Sequence, residues 1–243
     1  MDDNVLQGKT LLVVDDEVDL RDIVASELEF MGGKVHQAEN ISVAKEILSK
    51  HKIDLIVSDI RMPGGTGIDL LDSIKLQDVN HPPIVLITGF ADITVQQAFD
   101  KGAEALMNKP FKLDDLIQVT ARLTGPLKER FQVAELTESQ NLSLDYDHPI
   151  NEGSNFLMGR GGASLSFFPN GCKYDVGEVI KIDLKFTDKK LSGQAICRWI
   201  RHPESHDGHI SLGLEFMNLD QSTLDIVIAN FNDGNTKALI PSL

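Results

Sequence analysis

The 243-residue chain is poor in the residues that would make it a stapled, membrane-bound or nucleic-acid-coating protein. It has two cysteines, one tryptophan and two tyrosines. Cys172 and Cys197 are too few for a disulfide framework, and two reduced thiols in a cytosolic chain are the plainer expectation. No apolar run approaches the roughly 20 residues that cross a bilayer, so membrane insertion is not expected. The opening Met1-Asp2-Asp3-Asn4 lacks the basic and apolar regions of a secretion signal, which makes the cytoplasm the expected location. Positive charge is also scarce: 23 Lys and Arg face 37 Asp and Glu, a formal net charge of −14. The deficit runs through both halves, with 12 basic against 21 acidic residues in 1–125 and 11 against 16 in 126–243. A nucleic-acid backbone demands the opposite balance, and no helix-turn-helix pattern is present, so DNA is not an expected partner.

What is present is ordinary globular composition, 42% hydrophobic and 25% charged, at a length that suits two domains. In the first half, short apolar runs alternate with helical periods. Strands are predicted at Leu11 to Val14, Lys34 to Ala38, Ile53 to Asp59, Ile84 to Thr88 and Ala103 to Met107. Helices are predicted at Asp19 to Met31, from Ile41 behind an Asn40 cap, and at Ile68 to Leu76, Ile93 to Lys101 and Leu113 to Leu123. Five strands alternating with five helices imply a parallel, doubly wound α/β sheet of the flavodoxin-like kind, covered on both faces.

Polar residues stand at the strand ends. Asp15 and Asp16 follow the first strand, Asp59 ends the third, Thr88 the fourth, and Lys109-Pro110 follow the fifth. In such a sheet these ends meet at one crevice. Two carboxylates about 5 Å apart repel by roughly 3 kcal/mol at an effective dielectric near 20. A hard divalent cation relieves that repulsion, and all-oxygen ligation suits Mg²⁺. The chemistry implied is phosphoryl transfer to a carboxylate, with the Lys109 ammonium neutralising the transferring group and the Thr88 hydroxyl hydrogen-bonding one of its oxygens.

These residues, Val13-Val14-Asp15-Asp16-Glu17, Ser58-Asp59-Ile60-Arg61-Met62-Pro63-Gly64, Thr88-Gly89 and Asn108-Lys109-Pro110-Phe111, resemble the receiver domain of two-component response regulators over residues 8 to 124. The resemblance implies Asp59 as phosphoacceptor. It implies Asp16, Asp59 and the Arg61 carbonyl as Mg²⁺ ligands, with Asp15 acting through water, and a cis peptide before Pro110. It also implies a sensor histidine kinase or phosphotransfer protein as donor. One departure is Leu106, where the family usually places the aromatic ring that moves with the Thr. A leucine can change rotamer but offers neither ring nor hydroxyl.

Beyond Gly125-Pro126, the apolar Leu127, Phe131 and Ala134 predict a connector helix over Pro126 to Leu136, whose stripe could pack within the chain or on a second copy in a dimer. From Asn141 the pattern changes to period-two runs at 142–146, 163–168, 179–186, 191–200 and 209–216, then one helical period at Thr223 to Phe231. That reads as a small antiparallel β-barrel. No nucleophile and base pair or metal-ligand spacing stands out there. His202, His206 and His209 read as a solvated loop and Trp199 as core, so no separate catalytic domain is expected.

Gly161-Gly162-Ala163, Val176-Gly177-Glu178, the strand with Trp199, and Leu212-Gly213-Leu214-Glu215-Phe216 before a last helix resemble a PilZ domain, a barrel that in many proteins binds cyclic di-GMP. The ligand motif departs from that family: Leu157 and Gly159 replace its Asp/Asn and Ser, and Ala134 stands four past Arg130. The division expected is 1–124 receiver, 125–138 connector and 139–243 PilZ-like output. That output is expected to contact a downstream protein, and the alternative is cyclic di-GMP binding through Arg130, Arg160 and Arg198.

Overall fold

The structure, a computed structural model, describes residues 4–78, 82–89, 92–133, 136–137, 140–150, 152–169, 171–202, 208–234 and 236–243. It forms two compact units, one of Met1–Thr94 with Lys101–Pro126 and one of Val95–Asp100 with Leu127–Leu243.

The first unit holds five parallel strands, β1 (Thr10–Val14), β2 (Lys34–Ala38), β3 (Leu55–Asp59), β4 (Ile84–Thr88) and β5 (Ala105–Asn108), ordered β2-β1-β3-β4-β5. Helices α1 (Val18–Phe30), α2 (Ile41–Lys50), α3 (Gly67–Gln77), α4 (Val95–Lys101) and α5 (Leu113–Thr124) alternate with the strands in sequence. This is the flavodoxin-like order, whose ligand crevice opens at the carboxyl ends of the first and third strands. Strands β3 and β4 are buried at every position, as covering on both faces requires. Leu11, Val13, Leu55, Val57 and Val85 share one core with α1 and α5 through Val24, Leu28, Leu116 and Ile117. Asn40 caps α2, its Oδ1 accepting from Val43 N at 3.0 Å. A reciprocal pair between Thr66 and Asp69 starts α3. Lys75 and Glu104, 0% and 1% exposed at the side chain, form an ion pair at 2.8 Å, and Glu104 also accepts from the Ile84 N–H.

Element bounds follow the sequence expectation within two residues. Helix α4 differs in its company: although it lies between β4 and β5 in the chain, its residues Val95–Asp100 belong to the second unit.

In the second unit, one turn of helix, α6 (Leu127–Arg130), is followed by β6 (Gln140–Asp145), β7 (Phe156–Met158), β8 (Gly162–Phe167), β9 (Val179–Lys185), β10 (Lys190–Arg201), β11 (Ile210–Leu219) and α7 (Gln221–Asp233). The sheet order is β6-β9-β10-β11-β8-β7. One expectation about this sheet is corrected. The sheet is a curled, mixed half-barrel rather than an antiparallel barrel, because β6 pairs with β9 in parallel. Periodicity marks strands but not their direction, and the three-residue β7 is too short to show a period at all.

The connector is not a long helix. Helix α6 stops at Arg130, and Phe131, 4% exposed, turns into the barrel core, its ring 6.5 Å from Phe231. Its carbonyl accepts from Leu219 N at 3.0 Å, and Gln132 bridges to Asn218, so the chain joins the sheet instead of coiling. Ala134 lies outside the described residues, as does His206.

Trp199 is buried, but not in the main barrel core. A register shift between Cys197 and Trp199 breaks the alternation of β10. Cys197 keeps to the barrel core, while the indole packs with Phe99, Leu239 and Ile240. Gly213 leaves room for that ring: a Cβ there would overlap it.

Candidate functional site

Register brings the acidic residues together. Val14 pairs with Ser58, so Asp15 and Asp59, each one residue further on, stand level at the sheet edge. Carboxylate oxygens of Asp15, Asp16 and Asp59 lie within 4.8 Å of one another. Asp15 and Asp59 are 3% and 5% exposed, whereas Asp16 faces solvent. Burial is the largest influence on both buried carboxyls and pushes their pKa values up, partly opposed by Lys109. At 4.8 Å and an effective dielectric near 20 two such charges repel by about 3 kcal/mol. The cluster therefore fits a hard divalent cation, which relieves both repulsion and desolvation.

Lys109 faces the cluster, its Nζ 3.5 Å from Asp15, 3.4 Å from Asp59 and 2.9 Å from Glu17. The peptide before Pro110 is cis, in line with the sequence expectation. Lys109 N donates to the Thr88 carbonyl at 2.7 Å, which ties the two residues to one edge. Thr88, 3% exposed, points its hydroxyl at Asp92, 3.1 Å away. The Arg61 side chain pairs with the same Asp92. Leu106 is half-buried in β5 opposite Leu86. Gly67 is required here, since a Cβ would overlap the Asp59 carbonyl.

Sequence reasoning missed two participants. Glu17 holds Lys109, and its N–H donates to Asp15 Oδ1 at 2.8 Å. Asp92 takes the Thr88 hydroxyl. The first had a signal, directly following Asp15-Asp16. The second had none, because a lone Asp four residues past a strand is unremarkable.

The arginines singled out in the second half differ in exposure, Arg160 being buried and Arg130 and Arg198 half-buried. Arg160 is 0% exposed, its Nε donating to the Lys237 carbonyl at 3.1 Å and its guanidinium 5.0 Å from the Phe231 ring. Arg130 lies over the same ring at 5.6 Å. Arg198 is engaged by Glu215 at 2.5 Å. Of the arginines expected as possible anion contacts, Arg160 is thus enclosed and Arg198 is matched by a carboxylate.

Residues 11–121 match the family model of the response regulator receiver domain, and that stretch is a receiver domain. The phosphate regulon transcriptional regulatory protein PhoB of Pseudomonas aeruginosa is 35% identical over 125 residues, 49% of this chain and 54% of that protein. The nitrogen assimilation regulatory protein NtrX of Azorhizobium caulinodans is 35% identical over 133 residues, 53% of this chain and 29% of its own. The chain thus spans about half of PhoB and under a third of NtrX. Among solved structures, the receiver domain of NtrX from Brucella abortus is 38% identical, covering 47% of this chain and 97% of that one with a TM-score of 0.44. Among the described residues no helix is long and apolar enough to cross a membrane.

Proposed function

We propose that the chain is a two-component response regulator phosphorylated on Asp59. The observation that carries this is the convergence of three carboxylates with Lys109 and Thr88 at one sheet edge. Asp16, Asp59 and the Arg61 carbonyl would hold Mg²⁺, with Asp15 through water, and the ion would neutralise charge on the phosphoryl oxygens. The chain's own groups do the rest. An Asp59 oxygen attacks the phosphorus of a phosphohistidine or small acyl phosphate. The new O–P bond forms as the bond to the donor's nitrogen or oxygen breaks. Lys109, already 3.4 Å from Asp59, balances the developing charge, and the Thr88 hydroxyl donates to one phosphoryl oxygen. Leu106, opposite Leu86 in the strand next to the one ending in Thr88, would change rotamer in place of a ring. Donors of this class are sensor histidine kinases or phosphotransfer proteins.

We read the second unit as a PilZ-like, non-enzymatic output that contacts another protein in the cytoplasm, without DNA binding. The second reading, cyclic di-GMP binding through Arg130, Arg160 and Arg198, has the 0% exposure of Arg160 against it. Incubation with acetyl phosphate and Mg²⁺ should add one phosphate by intact mass, and the Asp59→Asn variant should add none. Equal incorporation by both would overturn the reading. Calorimetric titration with cyclic di-GMP should give no heat; saturable heat would select the second reading.

A further inference from the structure

Strands β6 and β7 are the two edges of the half-barrel sheet. Curling brings the end of one toward the start of the other: the Tyr146 ring, just past β6, lies 5.9 Å from the ring of Phe156, which opens β7. At this seam is a pocket of about 510 Å³, with Asp145, Tyr146, Asp147, Asn155, Phe168 and His209 in its lining. Ligand pockets run from roughly 300 to 1,000 Å³. Hydrogen bonds hold both walls. On one side Tyr146 N donates to the Lys185 carbonyl at 2.7 Å, Thr187 N to the His148 carbonyl at 3.2 Å, and Ile150 N to Asp188 Oδ1 at 2.9 Å. On the other, Ser166 N donates to the Asn155 carbonyl at 2.9 Å. Gly153 lies close against His148, since a Cβ there would overlap the imidazole.

The lining is acidic and aromatic. Among the described residues no Lys or Arg lines the pocket, while Asp145 and Asp147 present exposed carboxylates. Asp145 meets Lys185 at 3.5 Å, but at 75% and 54% side-chain exposure that pair neutralises little. The Phe168 ring, 53% exposed, has its centroid 3.6 Å from that of His209. The Tyr146 hydroxyl is buried and has no hydrogen-bond partner among the described residues. Burial raises its pKa, so it remains a neutral phenol that can donate and accept. A phosphate or other anion would meet two carboxylates and no Lys or Arg in this lining. A flat cation finds carboxylates for its N–H groups and an exposed ring for its face.

We propose that the seam pocket receives an arginine side chain carried on an exposed segment of a partner protein. The proposal rests on the reading of the second unit as a protein-contacting output, and it names the chemistry of that contact. Arginine fits better than lysine, because its planar guanidinium stacks on a ring while its five N–H groups reach separate carboxylates. A basic segment is also drawn toward a chain whose formal net charge is −14. The pocket is wider than one guanidinium requires, which leaves room for the residues flanking the arginine.

The test follows backbone amides of the whole ¹⁵N-labelled chain by NMR while a blocked Gly-Arg-Gly tripeptide is added. The same tripeptide with neutral citrulline and the free guanidine agmatine are the comparison probes. Amide shifts at Asp145, Tyr146, Asp147, Asn155 and Phe168 should saturate with the arginine peptide, at least about fivefold more tightly than with the citrulline peptide. Phe168→Ala and Asp147→Asn change exposed side chains, so each should keep the Tm and weaken the arginine peptide about two- to fivefold. Equal affinity for the arginine and citrulline peptides, or no saturable shift with any probe, would overturn the pocket as a guanidinium site while leaving the protein-contact reading in place. Agmatine binding as tightly as the arginine peptide would make the pocket a site for small cations, which overturns the partner segment and counts against the protein-contact reading itself.

Discussion

The two units treat buried polar groups in opposite ways. At the carboxyl edge of the first sheet, Asp15 and Asp59 are desolvated beside Asp16, and the nearby ammonium of Lys109 is shared with Glu17. In the second unit Arg198 is matched to Glu215, and Arg160 is enclosed by a carbonyl and a ring. Repulsion left standing marks a place where a ligand completes the structure; charge already matched marks a place where the structure completes itself. The first unit also follows the second pattern away from its edge, as the Lys75–Glu104 pair shows.

That pair gives the largest expected effect. Lys75→Ala leaves Glu104 buried without its ammonium, and breaking a buried pair by removing one partner costs about 3–5 kcal/mol. Urea denaturation should show a loss of that size, and a change under about 1 kcal/mol would mean the pair is not buried as described. In the second unit Gly213→Ala should cost about 1–3 kcal/mol, since the new methyl overlaps the Trp199 indole. An unchanged Tm with unchanged Trp199 emission would show that the ring does not lie over Gly213.

The pH response should separate the units further. The pKa values of Asp15 and Asp59 are raised, so between the ordinary aspartate value and the raised value the folded state holds more protons than the unfolded one. Without metal, the first unit should therefore gain stability as pH falls through that window, and Asp59→Asn should flatten the gain. Mg²⁺ affinity should fall over the same window, because protons compete for the same oxygens. A metal-free stability that falls steadily from pH 7 downward would contradict this.

The smallest effect concerns the thiols. Burial pushes the Cys197 thiol up to about 12, whereas Cys172 is exposed. A maleimide at pH 8 should label one thiol in the native chain and two in denaturant. Two labelled quickly in the native chain would mean that the half-barrel core is open.

Much of the first unit was legible because its signals are local. Buried parallel strands are continuous apolar runs, and all but the edge strand β2 ended in or just before a residue that the site uses. Asp92 was not legible, since its role depends on a hydroxyl brought near it by the fold. In the second unit the strands were readable by period but their directions were not. The connector failed for a clear reason: the stripe Leu127, Phe131 fits a helix, yet Phe131 satisfies its apolar ring in the barrel core and its backbone on the sheet. Gly159 read as a break in a ligand motif and Gly161-Gly162 as part of a family resemblance, and the structure shows a segment distant in sequence resting against all three.

The most direct test of the account is to locate the phosphoryl group. After reaction with acetyl phosphate and Mg²⁺, borohydride reduction converts an aspartyl phosphate to homoserine, which peptide mass mapping can place. Homoserine at position 59 alone is the predicted result. Homoserine at Asp15 or Asp16, or a phosphate that resists both borohydride and hydroxylamine, would contradict Asp59 as the acceptor.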